Sequence, residues 1–169
     1  AKHRIAWLLI LMFSSTITGS IITKYKNAFA AIPLLVSFIP MLMDTGGNCG
    51  SQSSTLIIRG IALGEIRFSD LFRVMFKEFR VSLIVGVVLA LANGLRILIM
   101  YRNAGLALVI GLSLVATVII SKLIGCLLPL FAKKLHMDPA IMASPLITTL
   151  VDTCSILIYF NIATRIFQL

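Results

Sequence analysis

The residues best suited to chemistry lie in one polar stretch, residues 40–59, which follows a strongly apolar segment. The stretch combines a carboxylate, three glycines, two amides and several hydroxyl side chains. Lipid offers no hydrogen-bond partners, so polar groups at membrane depth must face protein or a water-filled path. Glycine also lets backbone carbonyls approach a guest. The candidate ligands in this stretch are Asp44, Gly46, Gly47, Asn48 and Gln52.

A second carboxylate, Asp152, lies in the last apolar segment, 14 residues beyond Asp138. At helical rise this spacing places Asp152 near the middle of a bilayer, with Thr149 beside it. An unpaired carboxylate there is costly, and a permeating cation, a proton or Lys122 would each offset that cost. The sequence therefore indicates either a cation site or a structural Asp152–Lys122 ion pair.

The candidate ligands are all oxygen atoms, from carboxylates, hydroxyls, amides and the main chain. The three cysteines lie in apolar segments without metal-like spacing, so we predict buried side chains and no disulfide framework. Soft metals are accordingly disfavoured. One or two carboxylates among many neutral oxygens suit a largely hydrated Mg²⁺, and Na⁺, Ca²⁺ and Mn²⁺ remain open alternatives.

Composition places the chain in a membrane. Of its 169 residues, 59% are hydrophobic and only 12% are charged, against about 25% charged in soluble domains. The mean hydropathy is +1.06. The net charge of +9 does not indicate nucleic acid, because the basic residues cluster at the ends of apolar runs, where they set topology.

The apolar pattern predicts an all-α integral membrane protein with five transmembrane helices, at residues 5–23, 28–59, 81–101, 106–131 and 139–169. The second segment would be about 48 Å long as a helix, against about 30 Å of hydrocarbon. We therefore predict a broken or kinked second helix, with its break at Gly46-Gly47. Within residues 60–80, charged residues and phenylalanines recur at helical spacing, which predicts a short cytoplasmic interfacial helix.

The basic residues also predict the orientation in the membrane. With five spans, one side of the bilayer holds nine of them and the other holds four. The positive-inside rule places the nine in the cytoplasm. We therefore expect a cytoplasmic N-terminus and a C-terminus outside.

Longer strings resemble a known family. The run Thr-Gly-Gly-Asn-Cys-Gly-Ser-Gln at residues 45–52 precedes Ile-Arg-Gly-Ile-Ala-Leu-Gly-Glu at residues 58–65. Both are similar to the signature of the bacterial MgtE magnesium channels, which are related to the solute carrier 41 family. The Asp-Pro pair at 138–139 and the Ser-Pro-Leu-Ile-Thr-Thr-Leu-Val-Asp run at 144–152 resemble that family's last helix.

This resemblance implies the transmembrane domain of a homodimer, with a pore on the two-fold axis between the second and fifth helices. The family's central pore aspartate falls on Asp152, and backbone carbonyls near Thr148 and Gly46 would help to hold hydrated Mg²⁺. Acidic residues of the cytoplasmic mouth fall on Glu65 and Asp138. The family's cytosolic regulatory domains are absent from this sequence, so we expect residues 1–169 to form a single ion-conducting domain.

We therefore expect a magnesium-selective channel in the cell inner (plasma) membrane, and not an enzyme. Its partners would be Mg²⁺, lipid and a second copy of the chain. The alternative is a secondary transporter that exchanges Mg²⁺, or another divalent cation, for Na⁺ or H⁺. A membrane anchor without transport is a third reading, disfavoured by the two carboxylates at membrane depth.

Overall fold

The computed structural model describes residues 2–140 and 144–168, which contain helices and turns but no strand. The helices are α1 (Lys2–Lys24), α2 (Lys26–Ala31), α3 (Ile39–Ala62), α4 (Leu71–Tyr101), α5 (Ala104–Lys134) and α6 (Ser144–Phe167). Short 3₁₀ segments, Pro33–Phe38 and Phe68–Asp70, precede α3 and α4. The all-α prediction agrees with this architecture.

Three segments of the described chain are long and apolar enough to cross a membrane: Phe68–Tyr101, Ala104–Lys134 and Pro145–Phe167. Leu8–Lys24, within α1, is a shorter apolar helix. The chain is thus a membrane protein. The total of five spans stays a prediction, because it also counts α1 and the polar helix α3.

The second predicted span is divided, but its break does not lie at Gly46-Gly47, as the sequence had suggested. Helix α3 runs without interruption through both glycines. The irregular point is Ile32, which has φ −135° and ψ 83°. A residue that precedes proline is pushed out of the α region, and Pro33 follows directly. Pro40 lies in the first turn of α3, where its missing N–H costs no hydrogen bond.

The predicted interfacial helix and the third span are one helix, so the prediction of a separate short helix was wrong. Helix α4 has 31 residues and would be about 46 Å long, so it extends beyond a bilayer of about 30 Å. The turn before it is closed by Asp70, whose carboxylate accepts a 2.9 Å hydrogen bond from the Arg67 backbone N–H. No proline follows before Tyr101, so the helix continues.

Helix α5 lies at the centre and packs against α3, α4 and α6, while α1 packs on α6. Apolar side chains from the 3₁₀ segment, α3, α5 and α6 form the main core. Within it the Tyr159 hydroxyl donates a 2.7 Å hydrogen bond to the Leu35 carbonyl. This bond gives the Leu35 carbonyl, near the break at Ile32, a hydrogen-bond partner. It also ties the segment that leads into α3 to helix α6.

Small residues bring α3 and α5 into backbone contact. A Cβ atom at Gly125 would overlap the backbone of Gly50, and one at Gly50 would lie 2.7 Å from Ile147 Cγ2. The Ser121 hydroxyl donates a hydrogen bond to the Gly46 carbonyl across the same contact. These contacts set which face of α3 turns inward.

Candidate cation site

Helix α3 carries a polar stripe on its exposed face. We define this stripe as Asp44, Asn48, Gln52, Thr55 and Arg59, which follow one another at intervals of three or four residues. All five are exposed in the single chain, whereas Gly46, Gly50 and Ser53 on the other faces are buried. Such a stripe cannot face hydrocarbon without a large cost. At membrane depth, where the sequence analysis placed it, the stripe would need water or a polar partner.

Helix α6 supplies the second carboxylate to this region. Asp152 and Thr148 are one turn apart, and the neighbouring Val151 and Ser155 are buried on the inner face of the same helix. Asp152 itself is half-buried, and its carboxylate makes no ion pair or hydrogen bond with the described residues. Its negative charge is therefore available to a ligand.

The two carboxylates predicted from the sequence line one cavity of about 190 Å³, which we call the two-aspartate pocket. Its walls are formed by α3 and α6. The lining residues are Met43, Asp44, Gly47, Asn48, Thr148 and Asp152. The structure thus brings together five of the predicted ligands. The first and the last of them, residues 44 and 152, are 108 residues apart in the sequence.

A second open cavity continues the polar surface along α3. It has a volume of about 640 Å³ and is lined by Asn48, Ser51, Gln52, Thr55 and Leu56. Asn48 borders both cavities. Polar groups therefore extend from the two aspartates to Gln52 and Thr55, so the predicted ligand Gln52 belongs to the same surface.

Gly46 and Thr149 lie outside the two-aspartate pocket. The Gly46 carbonyl is occupied by the Ser121 hydroxyl, and a Cβ atom there would lie 2.7 Å from Val151 Cγ1. Thr149 donates its hydroxyl to the Pro145 carbonyl at 2.9 Å, as Thr148 also does. Gly46 therefore allows α3 to pack closely against its neighbours in this structure, whereas Gly47 borders the pocket.

Glu65 and Asp138 are both exposed, away from the two-aspartate pocket. The Asp138 carboxylate accepts a 2.9 Å hydrogen bond from the Ala140 N–H. Glu65 borders another cavity of about 550 Å³, between the end of α3 and the start of α4. The charged residues that line this cavity are Arg59, Glu65, Asp70, Arg73, Lys77 and Glu78.

Within the described residues, no group of three or more Asp, Glu, His or Cys side chains could hold a metal ion. One chain offers two carboxylates and several neutral oxygens, and these face outward on an exposed surface. A ligand shell around a divalent ion would therefore need a second copy of this surface, or water molecules.

Sequence reasoning missed a buried cluster behind the polar stripe. Lys122 does not pair with Asp152, the alternative raised above. Its Nζ lies 3.5 Å from Glu78 Oε2, and Glu78 belongs to the charged segment 60–80 for which the sequence predicted an interfacial helix. The available signal was the helical register of α4, in which Glu78, Ser82 and Gly86 follow one another at intervals of four residues and are all buried.

Comparison with known proteins gives a consistent result. A sequence model described as MgtE, divalent cation transporter, matches residues 39–162. The chain is 40% identical over 164 residues to the magnesium transporter MgtE of Bacillus subtilis. It is 36% identical over 167 residues to that of Thermus thermophilus, and 34% identical over 164 residues to that of Enterococcus faecalis.

These matches cover 97%, 98% and 97% of this chain, respectively. They cover 36% of each of the three relatives, so the chain spans about a third of their length.

Proposed function

Because the chain belongs to the MgtE family of divalent cation transporters, we propose that it conducts Mg²⁺ through a pore on the two-fold axis of a homodimer. The polar stripe of α3 carries this proposal, since it is exposed and its Asp44 lines one pocket with Asp152, and neither carboxylate has an ion-pair partner among the described residues. Pairing two copies along this surface would remove the stripe from lipid and enclose a polar path.

The charge of the two-aspartate pocket suits a divalent ion in such a dimer. Each copy would contribute Asp44 and Asp152, and two facing copies of Asp152 alone would balance the charge of one Mg²⁺. Mg²⁺ loses its water reluctantly and is usually bound by one or two carboxylates while it keeps several waters. Asn48 and Thr148 offer neutral oxygens that would accept hydrogen bonds from those waters.

The proposal includes the direction in which Mg²⁺ moves across the membrane. With the nine basic residues on the cytoplasmic side of the plasma membrane, the N-terminus is cytoplasmic and the C-terminus is outside. An inside-negative potential then drives Mg²⁺ inward. Two charges that cross the full potential release about 4.6 kcal/mol per 100 mV.

Purified protein in lipid vesicles tests this function. We expect Mg²⁺ uptake that follows the membrane potential, and currents in a planar bilayer without any gradient of Na⁺ or H⁺. Uptake that requires such a gradient would contradict a channel and support an exchanger. A folded protein that shows no flux under either condition would contradict transport altogether.

Glu65 and Asp138 are expected to attract ions without being essential for conduction. Both are exposed, and Glu65 shares its cavity with Arg59, Arg73 and Lys77, which offset its charge. Exposed charges contribute up to about 1 kcal/mol and are screened by salt. The double variant Glu65→Gln/Asp138→Asn, which removes two such charges, should raise the half-saturating Mg²⁺ concentration by at most about thirtyfold. Complete loss of flux at high Mg²⁺, with the dimer intact, would contradict this role.

Gly47→Ala should reduce Mg²⁺ flux without destabilising the protein. Its Cβ atom would lie 3.1 Å from Thr148 Cγ2, so it narrows the two-aspartate pocket and displaces Thr148 slightly. Alanine also favours the helix by up to about 1 kcal/mol.

Gly46→Ala is the matched control, because its Cβ atom would meet Val151 and Thr117 at 2.7 and 2.9 Å, outside the pocket. We expect a lower melting temperature for Gly46→Ala, and a lower flux with an unchanged melting temperature for Gly47→Ala. Wild-type flux in Gly47→Ala would argue against a path through this pocket.

A further inference from the structure

Three helices meet in a buried polar cluster that consists of Ser53 on α3, Glu78 on α4 and Lys122 on α5. The Ser53 hydroxyl donates a 2.7 Å hydrogen bond to Glu78 Oε2, and Lys122 Nζ donates a 3.2 Å hydrogen bond to Ser53 Oγ. The three residues are 0%, 7% and 6% exposed, respectively. Ser53 is therefore the link through which the ion pair contacts α3.

Stability alone does not account for this cluster. A buried ion pair must offset the loss of hydration of both charges, and well-packed apolar side chains often stabilise a protein equally well. Apolar side chains lie next to the cluster along two of its helices, since Ile57 and Cys126, one turn from Ser53 and Lys122, are buried in a small core. Unlike apolar contacts, the Glu78–Lys122 pair forms directional hydrogen bonds with one hydroxyl of α3, that of Ser53.

The adjoining contact between α3 and α5 explains why such directional bonds matter. At Gly50 and Gly125 the two backbones touch without an interlocking side chain. Contact between two backbones permits close approach but is not directional, so the hydrogen bonds of Ser121 to Gly46 and of Ser53 to the ion pair define the rotation of α3 about its axis. Ser53 lies next to Gln52, and successive helical residues are about 100° apart around the axis. Fixing Ser53 therefore fixes the direction in which Gln52 and the rest of the polar stripe point.

We propose that Glu78 and Lys122 are positioning residues that act through Ser53 to hold α3 in the rotation that presents its polar stripe to the ion path. This inference rests on the proposed function, since the stripe is taken to line that path. Neither Glu78 nor Lys122 contacts the two-aspartate pocket.

Ser53→Ala tests the link, and Ser54→Ala is its matched control. Both serines are buried on α3, but the Ser54 hydroxyl has no hydrogen-bond partner among the described residues. In vesicles we expect Ser53→Ala to lower Mg²⁺ flux about tenfold, the equivalent of about 1.4 kcal/mol, and Ser54→Ala to match wild type.

A second readout reports rotation directly and does not depend on transport. Gln52→Cys is reacted with a hydrophilic maleimide in the detergent-solubilised protein, and the labelling of the three native cysteines is measured separately and subtracted. Adding Ser53→Ala should slow labelling at position 52 about fivefold, because rotation turns that position inward, whereas adding Ser54→Ala should not change it. Equal labelling rates in the two variants would overturn the proposal.

The double variant Glu78→Met/Lys122→Met removes both charges and both hydrogen-bond partners of Ser53 while nearly conserving volume, so it avoids an unpaired buried charge. We expect it to remain folded, with the slow labelling and low flux of Ser53→Ala. Wild-type labelling and flux in this folded double variant would also overturn the proposal. If wild-type protein carries no Mg²⁺ but the labelling differences hold, the proposed function fails and the positioning role stands.

Discussion

Asp152→Asn should abolish selective Mg²⁺ binding and leave the protein folded. Asparagine keeps the volume and one carbonyl oxygen but removes one charge from each copy, or two from the proposed dimer. If each charge contributes about 1.4 kcal/mol to binding, the loss of two weakens it about 100-fold. The neutral oxygens that remain do not favour a divalent ion over K⁺ or Na⁺.

The structure predicts that this variant folds, because Asp152 makes no ion pair or side-chain hydrogen bond with the described residues. Lys122 already has its counter-charge in Glu78, so no buried ammonium is left unpaired. The melting temperature without Mg²⁺ should therefore be close to that of wild type. Added Mg²⁺ should raise the melting temperature of the wild-type protein and have a much smaller effect on the variant.

Asp138→Asn is the matched control, because it makes the same change at an exposed carboxylate outside the two-aspartate pocket. It should keep the Mg²⁺-dependent rise in melting temperature and most of the flux. An Asp152→Asn protein that unfolds, or one that keeps wild-type Mg²⁺-selective uptake, would remove Asp152 from the centre of the site.

The outline of the candidate site followed from residue types. Asp44 and Asp152 were the only two carboxylates that the sequence analysis placed at membrane depth. A polar path through the membrane would keep both of them out of contact with lipid. The structure brings them to one pocket because α3 and α6 pack side by side. The sequence did not determine which of two adjacent glycines borders that pocket. Gly46 and Gly47 are about 100° apart on a helix, and their faces are decided by how α3 packs against α5 and α6.

The break in the second span was misplaced because local preference was given too much weight. Two adjacent glycines weaken a helix by about 1 kcal/mol each relative to alanine, which favours a break. Here the backbone contact with α5 and the Ser121 hydrogen bond stabilise a continuous helix. The irregularity at Ile32 was accessible from sequence, since the residue before a proline avoids the helical region.

The Glu78–Lys122 pair could not be identified from sequence. Its members are 44 residues apart (78 to 122) on two helices, and Lys122 had Asp152 as a nearer candidate in the chain. Extending α4 back from residue 81 to Leu71 would have placed Glu78 on the buried face. Which cation faces it depends on how α4 and α5 pack, and the helical register of one chain segment does not contain that information.

Gly125→Ala should be among the most destabilising single-methyl additions in the chain. The added Cβ atom would overlap the Gly50 backbone, which cannot move aside as the end of a flexible side chain can. Overpacking in a tight interior costs about 1–3 kcal/mol, and a clash with backbone belongs at the upper end. About 3 kcal/mol corresponds to a fall in melting temperature of about 6–12 °C for a chain of this size.

Gly94→Ala provides the matched control, because it lies inside helix α4 and its added Cβ atom meets no atom within 4 Å. There alanine should be neutral or stabilising by up to about 1 kcal/mol, through its higher helix propensity. Thermal unfolding of both variants in the same detergent measures the difference. Equal melting temperatures would show that α3 and α5 separate at little cost, and that the backbone contact at Gly50 does not fix the position of the polar stripe.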